Sequence, residues 1–130
     1  MFGKLIVALT IATSAVMALP TRRADGFASC NYLFVPGVPV VPATTNLVAD
    51  FNYITGRALA VAVSPHIING PGSTFTENAD NTFNVSNKLE TDVWTCAQTA
   101  AFLESLAGTN QLGPDGVTWL IKTSECTCDD

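Results

Sequence analysis

His66 is the only imidazole in the chain, so a Ser–His–acid hydrolase would have to be built around it. It stands in Ser64-Pro65-His66, with no nucleophile-elbow glycines and no evident acidic partner. A histidine beside a proline at the end of an apolar run reads as a turn or surface residue instead. Carboxylates are more plentiful, but hydrolysis by a carboxylate pair needs two of them on facing elements across a cleft. Glu90, Asp92 and Glu104 fall on the exposed side of one expected helix, where they read as a solvated face. Glu77 and Asp80 belong to a turn-like stretch, where acids cap and solubilise. Gly70 and Gly72 flank Pro71, which removes an amide that a phosphate cradle would need. Zinc would want C-x₂₋₄-C pairs or clustered histidines. The only close cysteine pair here is Cys126-Thr127-Cys128. No catalytic residue, metal or cofactor is expected.

The four cysteines, Cys30, Cys96, Cys126 and Cys128, therefore read as two disulfides with three possible connectivities, as in a small exported protein. The N-terminus agrees. Lys4 precedes an apolar run from Leu5 to Val16, and Val16-Met17-Ala18 offers the small residues that signal peptidase reads. That run falls short of the ~20 residues that span a bilayer. Residues 1–18 are expected to be a signal peptide, with cleavage after Ala18. Arg22-Arg23 resembles a kexin-type processing site, so 19–23 would be a short propeptide and 24–130 a single secreted domain; the alternative is two solvated arginines on a flexible terminus. After processing, Arg57, Lys88 and Lys122 face eleven acids, a net charge of −8. Such a surface repels phosphate backbones and anionic headgroups, so neither nucleic acid nor membrane is expected as a partner. Asn84-Val85-Ser86 is an N-glycosylation acceptor in a protein that crosses the secretory pathway.

The elements follow from period and punctuation. Residues 28–35 are rich in aromatic and branched side chains and stop at Pro36-Gly37, a first strand. Thr44 or Thr45 offers an N-cap for a helix over 45–55, ended by Gly56. Residues 58–63 alternate alanine with Leu59, Val61 and Val63, a second strand. Asn69-Gly70-Pro71-Gly72 is a turn, and 73–85 is β-prone, either one bulged strand or a tight hairpin. Asn87 and Glu90 match a capping box that would open a second helix running to Gly108. Gly113-Pro114-Asp115-Gly116 turns into a last strand over 117–121.

This β-α-β-β-α-β order predicts a ferredoxin-like α+β sandwich, two helices on one face of a four-stranded antiparallel sheet. With strand order 4-1-3-2, all four sulfurs converge at one end. Cys30 and Cys96 should each join one member of the Cys126/Cys128 pair, with Cys96–Cys126 and Cys30–Cys128 preferred. One conflict stands: the alternation Val117, Trp119, Ile121 puts Cys126 and Cys128 on the wrong face unless a bulge near Thr123-Ser124, or an early strand end, intervenes.

Trp119 alternates with core residues and reads as core. Trp94 falls one position off the apolar stripe of the second helix and is the candidate partner-binding anchor, with core burial against the sheet edge as the alternative. Arg22-Arg23, the segment from Asn87 to Gly108 with Cys96 inside it, and the terminal Cys126-Thr127-Cys128 together resemble the small secreted proteins of filamentous fungi. More narrowly, the element order resembles the α/β-sandwich killer toxins of smut fungi and the effectors that share their fold. The resemblance implies an extracellular, non-enzymatic effector or toxin-like protein that binds a protein of a host or competitor. A secreted protease inhibitor presenting Ile67 to Ser73, or a small ligand-binding module, is the competing class; a small hydrolase is a distant third.

Overall fold

The computed structural model describes residues 26–128. Ala18, Arg22 and Arg23, with the leader and processing site they define, lie outside the described residues. The chain forms strand β1 (Ala28–Pro36), helix α1 (Leu47–Val63), short strands β2 (Ile68–Asn69) and β3 (Thr74–Glu77), and strand β4 (Phe83–Thr91). Helix α2 (Cys96–Glu104) and strands β5 (Thr109–Leu112) and β6 (Thr118–Cys128) complete it. All pairings are antiparallel: β4, β1, β6 and β5 lie side by side in that order, and β3 and β2 both pair with β4.

The fold is thus α+β with two helices, two disulfides and an antiparallel sheet, but its strand order is not that of the expected ferredoxin-like sandwich. The expected strand over 58–63 is helix. Alanine is the best helix former, and Leu47, Phe51, Thr55, Leu59 and Val63 recur every four residues to bury one continuous face of a 17-residue helix. Gly56 does not end α1; Ser64-Pro65 does, since a residue before proline is pushed out of the helical region. Asn46, not Thr44 or Thr45, is the N-cap, its side chain accepting from the Ala49 amide. The stretch 73–85 is a hairpin, β3 to β4, and β5 forms a second hairpin with β6 that the sequence did not announce.

The second helix also starts later than its capping signal suggested. Phe83, Val85, Asn87 and Leu89 alternate inward through β4, and the N-cap is Thr95, in a reciprocal capping box with Gln98. Asn87 is buried rather than capping. Its carbonyl accepts from the Tyr32 hydroxyl at 2.9 Å, and its amide donates to Thr55 Oγ1 at 2.9 Å and Ser73 Oγ at 3.4 Å. Burial holds the Tyr32 phenol well above its ordinary pKa.

One core joins the layers. Phe34, Phe51, Phe83 and Trp119 are fully buried and meet edge to face, the Phe51–Phe83 pair tilted instead, with ring centroids 4.9–6.0 Å apart. Trp119 is core, as expected. The wrong-face conflict in the last strand is resolved by a bulge: Phe34 pairs with Ile121 but Leu33 with Thr123, leaving Lys122 as the extra residue. Beyond it Ser124 points inward and donates to the Leu103 carbonyl of α2 at 2.8 Å.

Candidate functional site

The bulge sets the sulfurs. Cys126 lies directly opposite Cys30 and bonds to it, and Cys128, beside Ala28, reaches Cys96 in the first turn of α2. Convergence at one end holds, and no cysteine is left over. The preferred connectivity was the other one. Facing positions on β1 and β6, with Cα atoms 4.1 Å apart, claim each other before the helix can claim Cys126.

Trp94 sits next to this stapled end. It is not on the helix but immediately before its cap, in a turn tied by Thr91, whose hydroxyl accepts from the amides of Val93 and Trp94. Its half-buried ring packs on Phe102 of α2, centroids 5.6 Å apart, beside Val93, which is 45% exposed. The indole N–H of Trp119 donates to Asp50. That of Trp94 has no acceptor among the described residues.

The carboxylates grouped on one helix by sequence are scattered. Glu90 is buried on β4, Asp92 lies in the following turn, and Glu104 ends α2, where it accepts from the Cys126 amide at 2.9 Å. Asp92 accepts from the Ile67 amide and stands 3.6 Å from His66 Nδ1, so the single histidine does have an acidic neighbour. Among the described residues no serine hydroxyl is hydrogen-bonded to that pair, and the nearby Ser64 is a helix C-cap whose amide donates to Val61. Glu77 accepts from Asn81, which also clasps the backbone of Val40, and Asp80 is held below the ordinary carboxylate range by the Thr82 hydroxyl and amide. These acids build the β3–β4 turn, as expected. Asn84 is exposed on the outer face of β4, its amide donating to Asn78.

A carboxyl pair that sequence reasoning missed joins Asp50 of α1 to Asp115 in the β5–β6 turn. Asp50 is 1% exposed and accepts from Trp119 Nε1 at 3.2 Å. Desolvation first, and then the Asp115 carboxyl hydrogen-bonded to it, push its pKa up to about 6 despite the Trp119 bond. Two carboxyls sharing a proton are acid–base chemistry in principle. Asp50 is sealed from any substrate, however, and Gly113 covers it so closely that a Cβ there would stand 3.1 Å from Asp50 Oδ2. The pair is a latch between helix and hairpin. The two aspartates are far apart in sequence, and the only local hint was a carboxylate on the buried face of an amphipathic helix.

Between α1 and the β2–β3 connection lies a cavity of about 270 Å³ with Ser73 and Asn87 among its walls. Among the described residues no cluster of histidine, cysteine and acids could hold a metal ion, and no helix is long and apolar enough to cross a membrane. No family model matches the sequence, and neither a curated protein nor a solved structure is similar to it.

Proposed function

We propose that the chain is an exported, disulfide-bridged, effector- or toxin-like protein that acts without catalysis by binding an extracellular or host protein through the surface around Trp94. One observation carries this: Trp94 is half-buried, and its indole N–H has no acceptor among the described residues, whereas the other tryptophan is fully buried and hydrogen-bonded. Tryptophans with an apolar face packed and a polar edge open are over-represented among interface anchors. The two disulfides and the stapled end give that edge a rigid frame. Kinship with the α/β-sandwich killer toxins of smut fungi belongs to the same proposal, supported by two helices on one face of an antiparallel sheet. A protease-inhibitor reading has its own support in Ile67, 64% exposed with its amide held by Asp92.

The test is Trp94→Ala, measured against a partner identified by crosslinking in host or competitor extracts. The change should cost about 2 kcal/mol of binding or more while moving the melting midpoint little. A stability loss of about 3 kcal/mol or more, the cost of removing a core aromatic, would make Trp94 structural and retire the proposal. A partner that proves to be a protease, bound undiminished by Trp94→Ala but lost in Ile67→Ala, would favour the inhibitor reading.

A further inference from the structure

The cavity between α1 and the β2–β3 connection carries two features that folding alone does not explain. The first is Gly56. It sits in the middle of α1, in ordinary helical backbone, where glycine is the poorest helix former after proline. Glycine is required where a side chain would collide or where φ is positive, and Gly70 and Gly72 on the same cavity meet those conditions: a Cβ on Gly70 would fall 2.5 Å from the Lys88 carbonyl oxygen, and Gly72 has φ +105°. Gly56 meets neither. A Cβ there would touch only Ile68 Cδ1, at an ordinary 3.6 Å, and would otherwise project from the cavity wall. The residue keeps space open at the expense of the helix.

The second is Ser73. It is 7% exposed; its oxygen accepts weakly from the Asn87 amide, at 3.4 Å, and its amide donates to Asn52. The hydroxyl proton itself has no acceptor among the described residues. A buried hydroxyl in this state favours a ligand oxygen that can accept from it. No charged side chain lines the cavity, although acids outnumber bases in the chain; Asn52, Thr55 and Asn87 add neutral polar groups, and Ile68 and Leu89 supply the apolar wall. At about 270 Å³ the space lies just under the ~300 Å³ lower end of small-molecule pockets.

We propose that this cavity binds one neutral sugar ring, a hexose or N-acetylhexosamine, with Ser73 donating to a ring oxygen and Ile68 and Leu89 against its C–H face. The uncharged lining rejects phosphates and carboxylates, which could not be matched there. The alternation of hydroxyl-binding and apolar wall suits a molecule that carries both kinds of surface. The site is separate from the surface around Trp94 and stands or falls without it.

Saturation-transfer NMR on the disulfide-intact protein, with glucose, mannose, galactose and N-acetylglucosamine at millimolar concentration, reads the binding directly. At least one sugar should bind. Ser73→Ala should weaken it about tenfold, roughly the worth of one hydrogen bond to a buried group. Gly56→Ala should raise the melting midpoint by about 4 °C and weaken the same sugar. A trisaccharide ending in that sugar separates sources: tighter binding assigns a glycan terminus, equal binding a free monosaccharide. Failure of all four sugars to bind overturns the proposal, as does binding that survives Ser73→Ala and Gly56→Ala alike. A fall in melting midpoint in Gly56→Ala would show that the fold requires this glycine, and saturation transfer to N-acetylasparagine amide in place of the sugars would make the site a side-chain pocket; either result overturns it.

Discussion

The Asp50–Asp115 latch makes the fold stronger in mild acid than at neutral pH, the reverse of what most paired carboxylates do. Folding raises the Asp50 pKa from 3.8 to about 6, so the folded protein holds this proton more tightly than the unfolded chain. The stabilisation is therefore complete below about pH 4, fades as pH rises towards 6, and is gone above it. A shift of about two units at about 1.4 kcal/mol each sets the loss at about 3 kcal/mol. Asp50→Asn isolates the effect. An asparagine is neutral at every pH, can accept from Trp119 and can donate to Asp115, so the variant should match the wild type at pH 4 and exceed it by up to about 3 kcal/mol at pH 7. Asp115→Asn, which removes the like charge, should move the wild-type transition to lower pH. Urea unfolding at intervals from pH 4 to 8, with disulfides intact and buried Trp119 as the fluorescence probe, measures all three proteins. The other carboxylates contribute equally to wild type and variant, so the difference between the two curves is the quantity of interest. Parallel curves, or a variant weaker than the wild type at pH 7, would refute the latch.

Two further outcomes follow from the geometry. By the chain-entropy relation, removing the Cys30–Cys126 bridge, which closes a separation of 96 residues, should cost about 5 kcal/mol. Removing Cys96–Cys128, with a separation of 32, should cost about 4 kcal/mol, and removing both less than the sum, as thermal melts of paired serine variants would show. Gly70→Ala, whose Cβ would stand 2.5 Å from the Lys88 carbonyl oxygen, should cost about 2 kcal/mol or more, read as a shift of the urea midpoint at unchanged slope.

Where residues signal through local chemistry, the fold was legible. The first strand, the turn at 113–116, the buried Trp119 and the need for a bulge before Cys126 were all written in neighbouring residues. Residues 58–63 misled because alanine alternating with Leu59, Val61 and Val63 satisfies a strand period, while Leu59 and Val63 also continue the four-residue spacing of Phe51 and Thr55. Long-range burial decided between the two. Asn87 misled differently. A polar residue in an apolar alternation looks like a cap, and only its distant partners, Tyr32 on β1, Thr55 on α1 and Ser73 in the β2–β3 connection, make it a core residue. The true capping box, Thr95 with Gln98, was present in the sequence but stood behind a stronger-looking match. Neither the carboxyl latch nor the cavity could be read in advance, since each is assembled from residues that only tertiary packing brings together.

The bond between the first and last strands makes the stretch from Cys30 to Cys126 a closed covalent ring rather than a line. A protease that cuts one exposed link on that ring, such as the connector after Pro36 or the turn at 113–116, opens it without releasing a piece. Both new ends stay tethered, and the remaining contacts hold them in register. Two cuts are needed before any fragment can leave. This tolerance depends on an oxidising medium: once the sulfurs are reduced, every earlier nick becomes a break in the covalent chain, and only the non-covalent contacts still hold the pieces together.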